Sequence, residues 1–306
     1  MKINPLVGVI ILNTNRKEDT LACLASLQLN NYPNIIVWVL DNSSKDGSIE
    51  AIREKYPSTK IIHLKENKGY AGNNNTGIQL ALDEGADYIF VINEDIIIDP
   101  ESISHLVAFG ETNPRAGVVG PMVYHYNEPQ LIQSAGGKLT SDWRAIHIGE
   151  NEPDVGQYSQ PHQVDWISGC AIMLKREVIE KIGGLDERYF YYWEETEWCI
   201  RARKAGWGIW LIPQAKIWHK GVQRDYQPSP NVTYYAARNR LLTLYKHHAP
   251  LTSKLMVNAS LFRTLFAWTF FPKWKDKKAH RNALLQGLLD YYSGNLGMRR
   301  KIKSLN

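Results

Sequence analysis

Ile35–Ser48 reads IIVWVLDNSSKDGS. An apolar, mostly β-branched run ends directly in Asp41, and turn-forming residues then lead to Asp46, where a helix reaching about Tyr56 opens. A short unbroken apolar run bounded by turn signals reads as a strand buried on both faces. The same unit recurs on either side. Leu6–Leu12 (LVGVIIL) is a buried-strand pattern, followed by a helix over roughly Glu18–Leu29 with Leu21, Leu24 and Ala25 on one face. Ile61–Leu64 is a short third strand. Asn67–Asn75, rich in glycine and asparagine, reads as a loop. A helix through Gly77–Leu82 then leads into strand Tyr88–Ile92. This alternation predicts an α/β fold with a mainly parallel central sheet flanked by helices. Ligands of such sheets bind beyond the carboxyl ends of the strands, where Asp41 and Asp95 fall.

The second half is less regular. Val118–Tyr124, Val164–Leu174 and Trp207–Trp218 resemble strands. Trp193–Lys204 reads as a helix with Glu197 and Arg201 at i, i+4 spacing, and Tyr234–His247 as another. Gln130–Gln163 is polar and rich in Gly, Pro and His, as in a long loop or hairpin region near a site.

The 306 residues, 44% of them hydrophobic, suffice for a large core in one or two domains. The formal charge of +5 is unevenly spread: Leu251–Asn306 holds 11 Lys/Arg against 2 Asp/Glu, and the rest 25 against 29. The body is therefore acidic and the tail basic. Three widely spaced cysteines (Cys23, Cys170, Cys199) argue for reduced thiols in a cytoplasmic protein. Met1–Pro5 is short and polar, Leu6–Leu12 is too brief for a secretory core, and there is no run of about 20 apolar residues, so neither a signal peptide nor a membrane span is expected.

Several stretches carry chemistry. In Asn93-Glu94-Asp95 a strand end aims Asp95 at the crevice, and hard divalent cations favour such oxygen ligands; the same triplet also reads as a solvated acidic turn. Asp41 is placed to accept a hydrogen bond from a nucleobase or ribose, while Asn42, Ser43 and Asp46 suit turn and cap chemistry, Asp46 as the cap. The glycines of Asn67–Asn75 let main chain approach a ligand, although no Walker Gly-Lys-Ser/Thr follows. Glu194-Glu195-Thr196-Glu197 opens a helix, where acids suit the dipole. Flanked by Trp193 and Trp198, a carboxylate there is desolvated, has a raised pKa and can take a proton from a hydroxyl. His219 gains interest as a partner of Asp95 on one metal.

Taken in order, Val9–Arg16 (VIILNTNR), Asp41–Ser48, Asn67–Gly72 (NKGYAG), Asn93–Asp95 with Asp99-Pro100, Trp166–Ala171 (WISGCA), Gly183–Glu187 (GGLDE), Glu194–Arg201, Trp218-His219 and Arg238–Arg240 resemble the family 2 glycosyltransferases, especially the bacterial rhamnosyltransferase-like branch. The resemblance implies a glycosyltransferase A-type fold. It divides the chain into a catalytic domain (1–247, with nucleotide-binding half 1–100 and acceptor-binding half 101–247) and a basic, aromatic, helical C-terminal region (248–306). It also implies a nucleoside-diphosphate sugar donor. Asn13, Thr14, Asn15, Arg16 and Asp41 would line base and ribose, and Asn67, Gly69, Gly72 and Asn93 the rest of the nucleotide. Asp95 and His219 would hold a divalent metal, Mn2+ or Mg2+. Glu195 falls where the family places its base. Trp166, Gly169, Trp193, Glu194 and Trp198 would contact acceptor or sugar.

Two departures stand out: Glu194-Glu195-Thr196-Glu197 replaces the family's Glu-Asp-x-Asp, and Thr14 replaces its usual tyrosine. The implied activity is inverting, metal-dependent transfer, with rhamnose as first donor sugar, to a glycan or lipid-linked acceptor in surface polysaccharide synthesis. Its rivals are a non-catalytic sugar-nucleotide-binding assembly subunit and a nucleotidyltransferase.

The tail sets Phe262, Phe266, Trp268, Phe270, Phe271 and Trp274 beside Lys273, Lys275, Lys277, Lys278 and Arg281. Asn258 and Arg263 argue against a span. An interfacial helix on anionic lipid, at the inner face of the plasma membrane, fits; a packing helix or homo-oligomer contact is the alternative. No nucleic-acid fold motif accompanies the charge, so nucleic acid is not an expected partner.

Overall fold

Unbroken apolar runs that must be shielded on both faces set the first half. β1 (Val7–Asn13) is followed by α1 (Lys17–Gln28), β2 (Ile35–Asp41), α2 (Ser48–Lys55), β3 (Lys60–His63), α3 (Gly69–Asp83) and β4 (Tyr88–Asn93). The structure, a computed structural model, describes residues 4–300. β1 and β4 are buried almost throughout, and α1 turns Leu21, Leu24 and Leu27 onto the sheet. There follow β5 (Ile96–Ile98), α4 (Ser102–Thr112), β6 (Ala116–His125), β7 (Ile132–Ser134), β8 (Gly137–Leu139), β9 (Ala145–His147), β10 (His162–Gln163), β11 (Ala171–Lys175) and α5 (Arg176–Ile182). α6 (Glu194–Lys204), β12 (Gly208–His219) and α7 (Pro230–Lys246) complete the body; α8 (Leu251–Phe270), a 3-10 turn (Pro272–Lys277) and α9 (Lys278–Tyr292) form the tail.

Among the described residues ten strands make one sheet, ordered β10-β12-β6-β11-β4-β1-β2-β3, with β5 on β12 and β7 on β6. β3, β2, β1 and β4 are parallel, β11 runs against both β4 and β6, and β12 is parallel to β6. The parallel half and the less regular half thus share a continuous layer. The carboxyl ends of β1, β4 and β12 gather at one edge and carry Thr14, Asp95 and His219.

Three local expectations are corrected. Asn67–Asn75 is mostly helix, because its asparagines replace missing backbone partners: Asn67 Oδ1 accepts from Gly69 N (2.8 Å), Asn73 Oδ1 from Lys68 N (3.0 Å), and Asn74 donates to Tyr70 O (2.9 Å). Val164–Leu174 is strand only from Ala171: Cys170 O makes the last bond to β4, at Asn93 N, and the residues before it are engaged elsewhere, Val164 N with Ile209 O and Trp166 O with Gly137 N. Asp46 does not occupy the cap position of α2, which is Gly47. It accepts instead from Ser48 N (3.1 Å) and from Lys17 N at the start of α1 (2.8 Å), tying two helix starts together.

The tail packs on α7, where Ala237, Leu241 and Leu244 meet Val257, Leu284 and Leu288. Residues 301–306 of the tail lie outside the described residues. No described helix is long and apolar enough to cross a membrane. Cys23, Cys170 and Cys199 are free and buried.

The expected Glu197–Arg201 pair forms within a larger ionic cluster joining α6 to α7. Glu197 is fully buried and meets Arg201 Nε (3.0 Å), Lys246 Nζ (2.7 Å) and His247 Nε2 (3.0 Å). Burial works to raise its pKa, but His247, Arg201 and Lys246 outweigh it and hold the carboxyl below the ordinary glutamate range. Removing the carboxylate leaves the largely buried Arg201 without its ion-pair partner and Lys246 with Asp186 alone, so Glu197→Ala is expected to lose about 3–5 kcal/mol in urea unfolding at neutral pH. Because the folded-state pKa is depressed, this contribution is full above the unfolded value, and the gap between parent and variant closes as pH falls through the folded one.

Candidate functional site

The end of β1 is organised by polar side chains that face inward. Asn13 is fully buried; its Nδ2 donates to Ser48 Oγ (2.9 Å) and Ser44 Oγ (3.0 Å), and its Oδ1 accepts from Thr20 Oγ1 (2.9 Å). Asp41 is also buried. It accepts from Ser44 N (3.2 Å) and Asn13 Nδ2 (3.4 Å) and faces His63 Nδ1 (3.3 Å). Both residues shape the turn after β2 and lie behind the cavity wall, not on it. Asn15 is exposed and spends its Oδ1 on Lys45 N, while Gly72 sits within α3 against Lys68 and Glu187. The wall itself contains Thr14, Arg16, Asn42, Asn67, Gly69 and Asn93, around about 470 Å3 of space.

Asp95 follows β4 in the turn into β5 and lies on the same wall. Its Oδ2 pairs with Arg16 Nη2 at 3.0 Å, and its Oδ1 lies 3.1 Å from His219 Nε2. Burial would raise its pKa, yet His219 and Arg16 prevail and keep it charged below the usual carboxylate range. Its neighbour Glu94 is pushed up to about 7 by burial and by the Asp95 charge. Asp95 is thus the member of the triplet suited to a cation.

A residue that sequence reasoning missed defines the other half of this pair. Gln133 Nε2 donates to Val222 O (2.7 Å), which leaves Oε1 facing His219 Nδ1 at 3.0 Å. The ring then donates through Nδ1, so Nε2 is the nitrogen turned to Asp95 Oδ1, which has no aligned hydrogen-bond donor among the described residues; protonated, Nε2 pairs with the carboxylate, and unprotonated, the two are facing acceptors. Two facing acceptors need a proton or a cation between them. The donor set, one carboxylate oxygen and one imidazole nitrogen, fits a divalent ion whose remaining positions go to ligand or water oxygens. No cluster of three or more protein ligands occurs among the described residues. Gly221 lets the following loop cross Asp95, since a Cβ there would meet Asp95 Oδ2.

Glu194 and Glu195 open α6, and the segment before them is held under strain. Phe190 (φ 64°), Tyr192 (φ 68°) and Trp193 (φ 79°) are left-handed without being glycine. Asn239 Nδ2 donates to the carbonyls of Tyr189 (2.9 Å), Tyr191 (2.9 Å) and Tyr192 (2.7 Å). Fully buried Arg238 donates to Arg188 O, Tyr189 O and Gly297 O and lies over the rings of Tyr234 and Tyr235. On the other side Tyr70 N donates to Phe190 O (2.6 Å), an approach open only because Gly69, itself at φ 73°, lacks a Cβ. Clamped between α3 and α7, this strap delivers Glu194 and Glu195 into a cavity of about 430 Å3 with Trp166, Gly169 and Trp193.

Burial raises the pKa of Glu195; it raises that of Glu194 as well, with the Glu195 charge adding to it. Half-buried Tyr70, on the wall of this cavity, donates its hydroxyl to Gly169 O. Trp198 corrects the expectation of sugar stacking: it has no exposed surface and donates Nε1 to Gly183 O in the core.

The two cavities adjoin and share Tyr70, Asn93, Tyr191, Tyr192, His219 and Tyr226. Asp95 and Glu195 therefore face connected space, with His219 at the junction. A larger cavity of about 780 Å3, around Arg115, Arg203 and Trp207, lies at the opposite ends of β6 and β12 and contains none of the sequence-derived site residues. The run Phe190–Trp193 directly before three acids was a legible sign of Tyr191 and Tyr192; Gln133 and Tyr226 carried none.

Residues 8–183 match the sequence model of the family described as Glycosyl transferase family 2. The chain is 28% identical over 283 residues to the N-acetylglucosaminyl-diphospho-decaprenol L-rhamnosyltransferase of Mycobacterium tuberculosis, covering 79% of this chain and 89% of the relative. It is 28% identical over 268 residues to the dTDP-rhamnosyl transferase RfbF of Shigella flexneri, covering 83% and 86%. Among solved structures it resembles the mannosyltransferase PcManGT of Pyrobaculum calidifontis, in complex with GDP-Man and Mn2+, with TM-score 0.60, 15% identity and coverage of 95% and 88%.

The strap's dependence on one amide is testable. Asn239→Leu takes the side-chain amide donor from the carbonyls of Tyr191 and Tyr192 and leaves Tyr189 O to Arg238, which is expected to cost about 1–3 kcal/mol or more in urea unfolding. Amide hydrogen exchange over Tyr189–Trp193 should accelerate well beyond that of β1 and β4.

Proposed function

The chain belongs to glycosyl transferase family 2, and we propose that it is an inverting, metal-dependent transferase that moves a sugar, rhamnose first, from a nucleoside diphosphate to a hydroxyl of a glycan or lipid-linked acceptor. It is a glycosyltransferase of the A-type fold anticipated from its sequence. The observation that carries the finer reading is the junction at His219, where a cation-suited pair, Asp95 and His219, and a desolvated carboxylate, Glu195, open into connected space.

Asp95 and His219 would hold the metal, with Gln133 fixing the imidazole. When bound, a divalent ion supplies positive charge against the oxygens of a departing diphosphate. Arg16, whose guanidinium lies beside Asp95, adds a fixed charge on the same wall. Thr14, Asn42, Asn67 and Asn93 offer hydrogen bonds to nucleoside and sugar.

On the acceptor side Glu195 takes the proton of the incoming hydroxyl, and that oxygen attacks the anomeric carbon. The bond from this carbon to the diphosphate oxygen breaks with its electron pair leaving on the diphosphate. Attack from the face opposite the leaving group inverts configuration. Burial of Glu195 favours its protonated form and so makes it a stronger base than an exposed glutamate. Glutamate in place of the family's aspartate sets the acceptor hydroxyl slightly farther from the backbone.

The donor sugar is supported by the two rhamnosyltransferase relatives, one named for dTDP-rhamnose transfer. The lipid-linked acceptor is supported by the relative named for a decaprenol diphosphate. The cation is supported by the donor set at Asp95 and His219 and by the manganese in the mannosyltransferase complex. In this reading residues 1–247 form the catalytic unit, working at the cytoplasmic face of the membrane, and 248–306 a helical appendage.

Glu195→Gln is expected to lower transfer about 10²–10⁴-fold while donor binding stays nearly unchanged; transfer at the parent rate would remove Glu195 from the role. In the parent, turnover should fall with decreasing pH through a pKa above the ordinary glutamate range, because the base works only when ionised. A donor panel with manganese or magnesium should release nucleoside diphosphate; pyrophosphate release from a nucleoside triphosphate would mark a nucleotidyltransferase instead. Gln133→Leu frees the His219 ring and should weaken manganese binding about 10–100-fold by calorimetry in the presence of nucleoside diphosphate.

A further inference from the structure

α8 is apolar on two faces, and only one has a partner. Val257, Leu261, Leu265 and Trp268 pack toward α7 and α9. On the other side Leu251, Leu255, Phe262, Phe266 and Phe270 recur at four- and seven-residue spacing along one face and stay 52% to 71% exposed. Phe266 and Phe270 touch only near the tip, with ring centroids 4.7 Å apart, and Phe271 extends the cluster. Isolated exposed apolar residues are ordinary, but a continuous stripe along a 20-residue helix is not.

The stripe ends in a concentration of charge. The 3-10 turn after it carries Lys273, Lys275 and Lys277, and α9 begins with Lys278, against one acid, Asp276. Residues 251–275 contain no Asp or Glu. A second copy paired along this stripe would offer these lysines no carboxylate from its own α8. An anionic bilayer surface supplies both complements: acyl chains for the aromatic tip and headgroup charge for the lysines, whose aliphatic stems reach past the apolar plane.

We propose that the exposed face of α8 and the lysine-rich turn seat the protein on an anionic lipid surface, in the plane of the interface. α7 then separates two environments. Val232 and Ala236 on one side line the cavity of Glu195, while Ala237, Leu241 and Leu244 on the other pack against the lipid-seated helices. The acceptor cavity is thereby held one helix away from the membrane. This inference uses no residue of the transfer chemistry and stands or falls separately from it.

The full-length protein is to be floated with vesicles of phosphatidylcholine alone and with about one-third phosphatidylglycerol. Binding to the anionic vesicles and little to the neutral ones is expected. Phe266→Glu with Phe270→Glu should weaken it more than about tenfold, and Lys273→Glu with Lys275→Glu about fivefold or more per lysine. Thermal melts of both variants should match the parent, because the altered side chains are exposed. Light scattering after size exclusion supplies the other arm. A dimer that the Phe266/Phe270 variant dissociates, without vesicle binding by the parent, would assign the stripe to a second copy and overturn the proposal. So would equal binding to both vesicle types, unaffected by the lysine changes.

Discussion

The site depends on a backbone that would not hold its shape alone. Three of the four residues from Phe190 to Trp193 sit in the left-handed region, each at a cost of about 1–3 kcal/mol for a side chain with a Cβ. Asn239 and Arg238 overcome this by donating to the carbonyls that the bent strap turns inward. The guanidinium lies in the interior against carbonyl oxygens and two tyrosine rings, and no carboxylate of the described residues pairs with it. From the α3 side, Tyr70 N and the bare α-carbon of Gly69 press on the same strap. The position of Glu195 is therefore set jointly by helices of both halves.

The parallel half was legible because its signals are local. Four apolar runs needed two-sided shielding, and the intervening amphipathic stretches needed a sheet to cover. Local reasoning is incomplete where the protein itself engages a polar side chain. Asn13 and Asp41 stand at strand ends, as ligand contacts would, and Ser44, Ser48 and Thr20 engage them from within the protein. Trp198 looks like a sugar platform beside three acids, yet helical geometry turns it toward Gly183. The asparagines after Asn67 look like a loop, yet they supply their own helix with caps. Asp95 and Glu195 could be named from the sequence because acids at a strand end and at a helix start are unusual, and the structure opens both, with His219, onto adjoining cavities.

Gln133 shows why part of the site was not legible. It lies 86 positions before His219 and has no local pattern. Its effect is to decide which ring nitrogen faces Asp95, and it can do so only because Val222 O fixes the direction of its own amide. A lone glutamine in a polar stretch predicts nothing; a glutamine between a backbone carbonyl and an imidazole sets a tautomer.

β11 pairs with β4 on one edge and β6 on the other, so the strands beneath the two cavities are rungs of one ladder. Adjacent rungs are about 4.8 Å apart and do not slide. Two lobes hinged like a clamshell could vary the gap between donor and acceptor; a shared sheet forbids it. The two cavities therefore keep a nearly fixed spacing, and the adjustable part of their rim is loop, including the one that crosses Asp95 at Gly221.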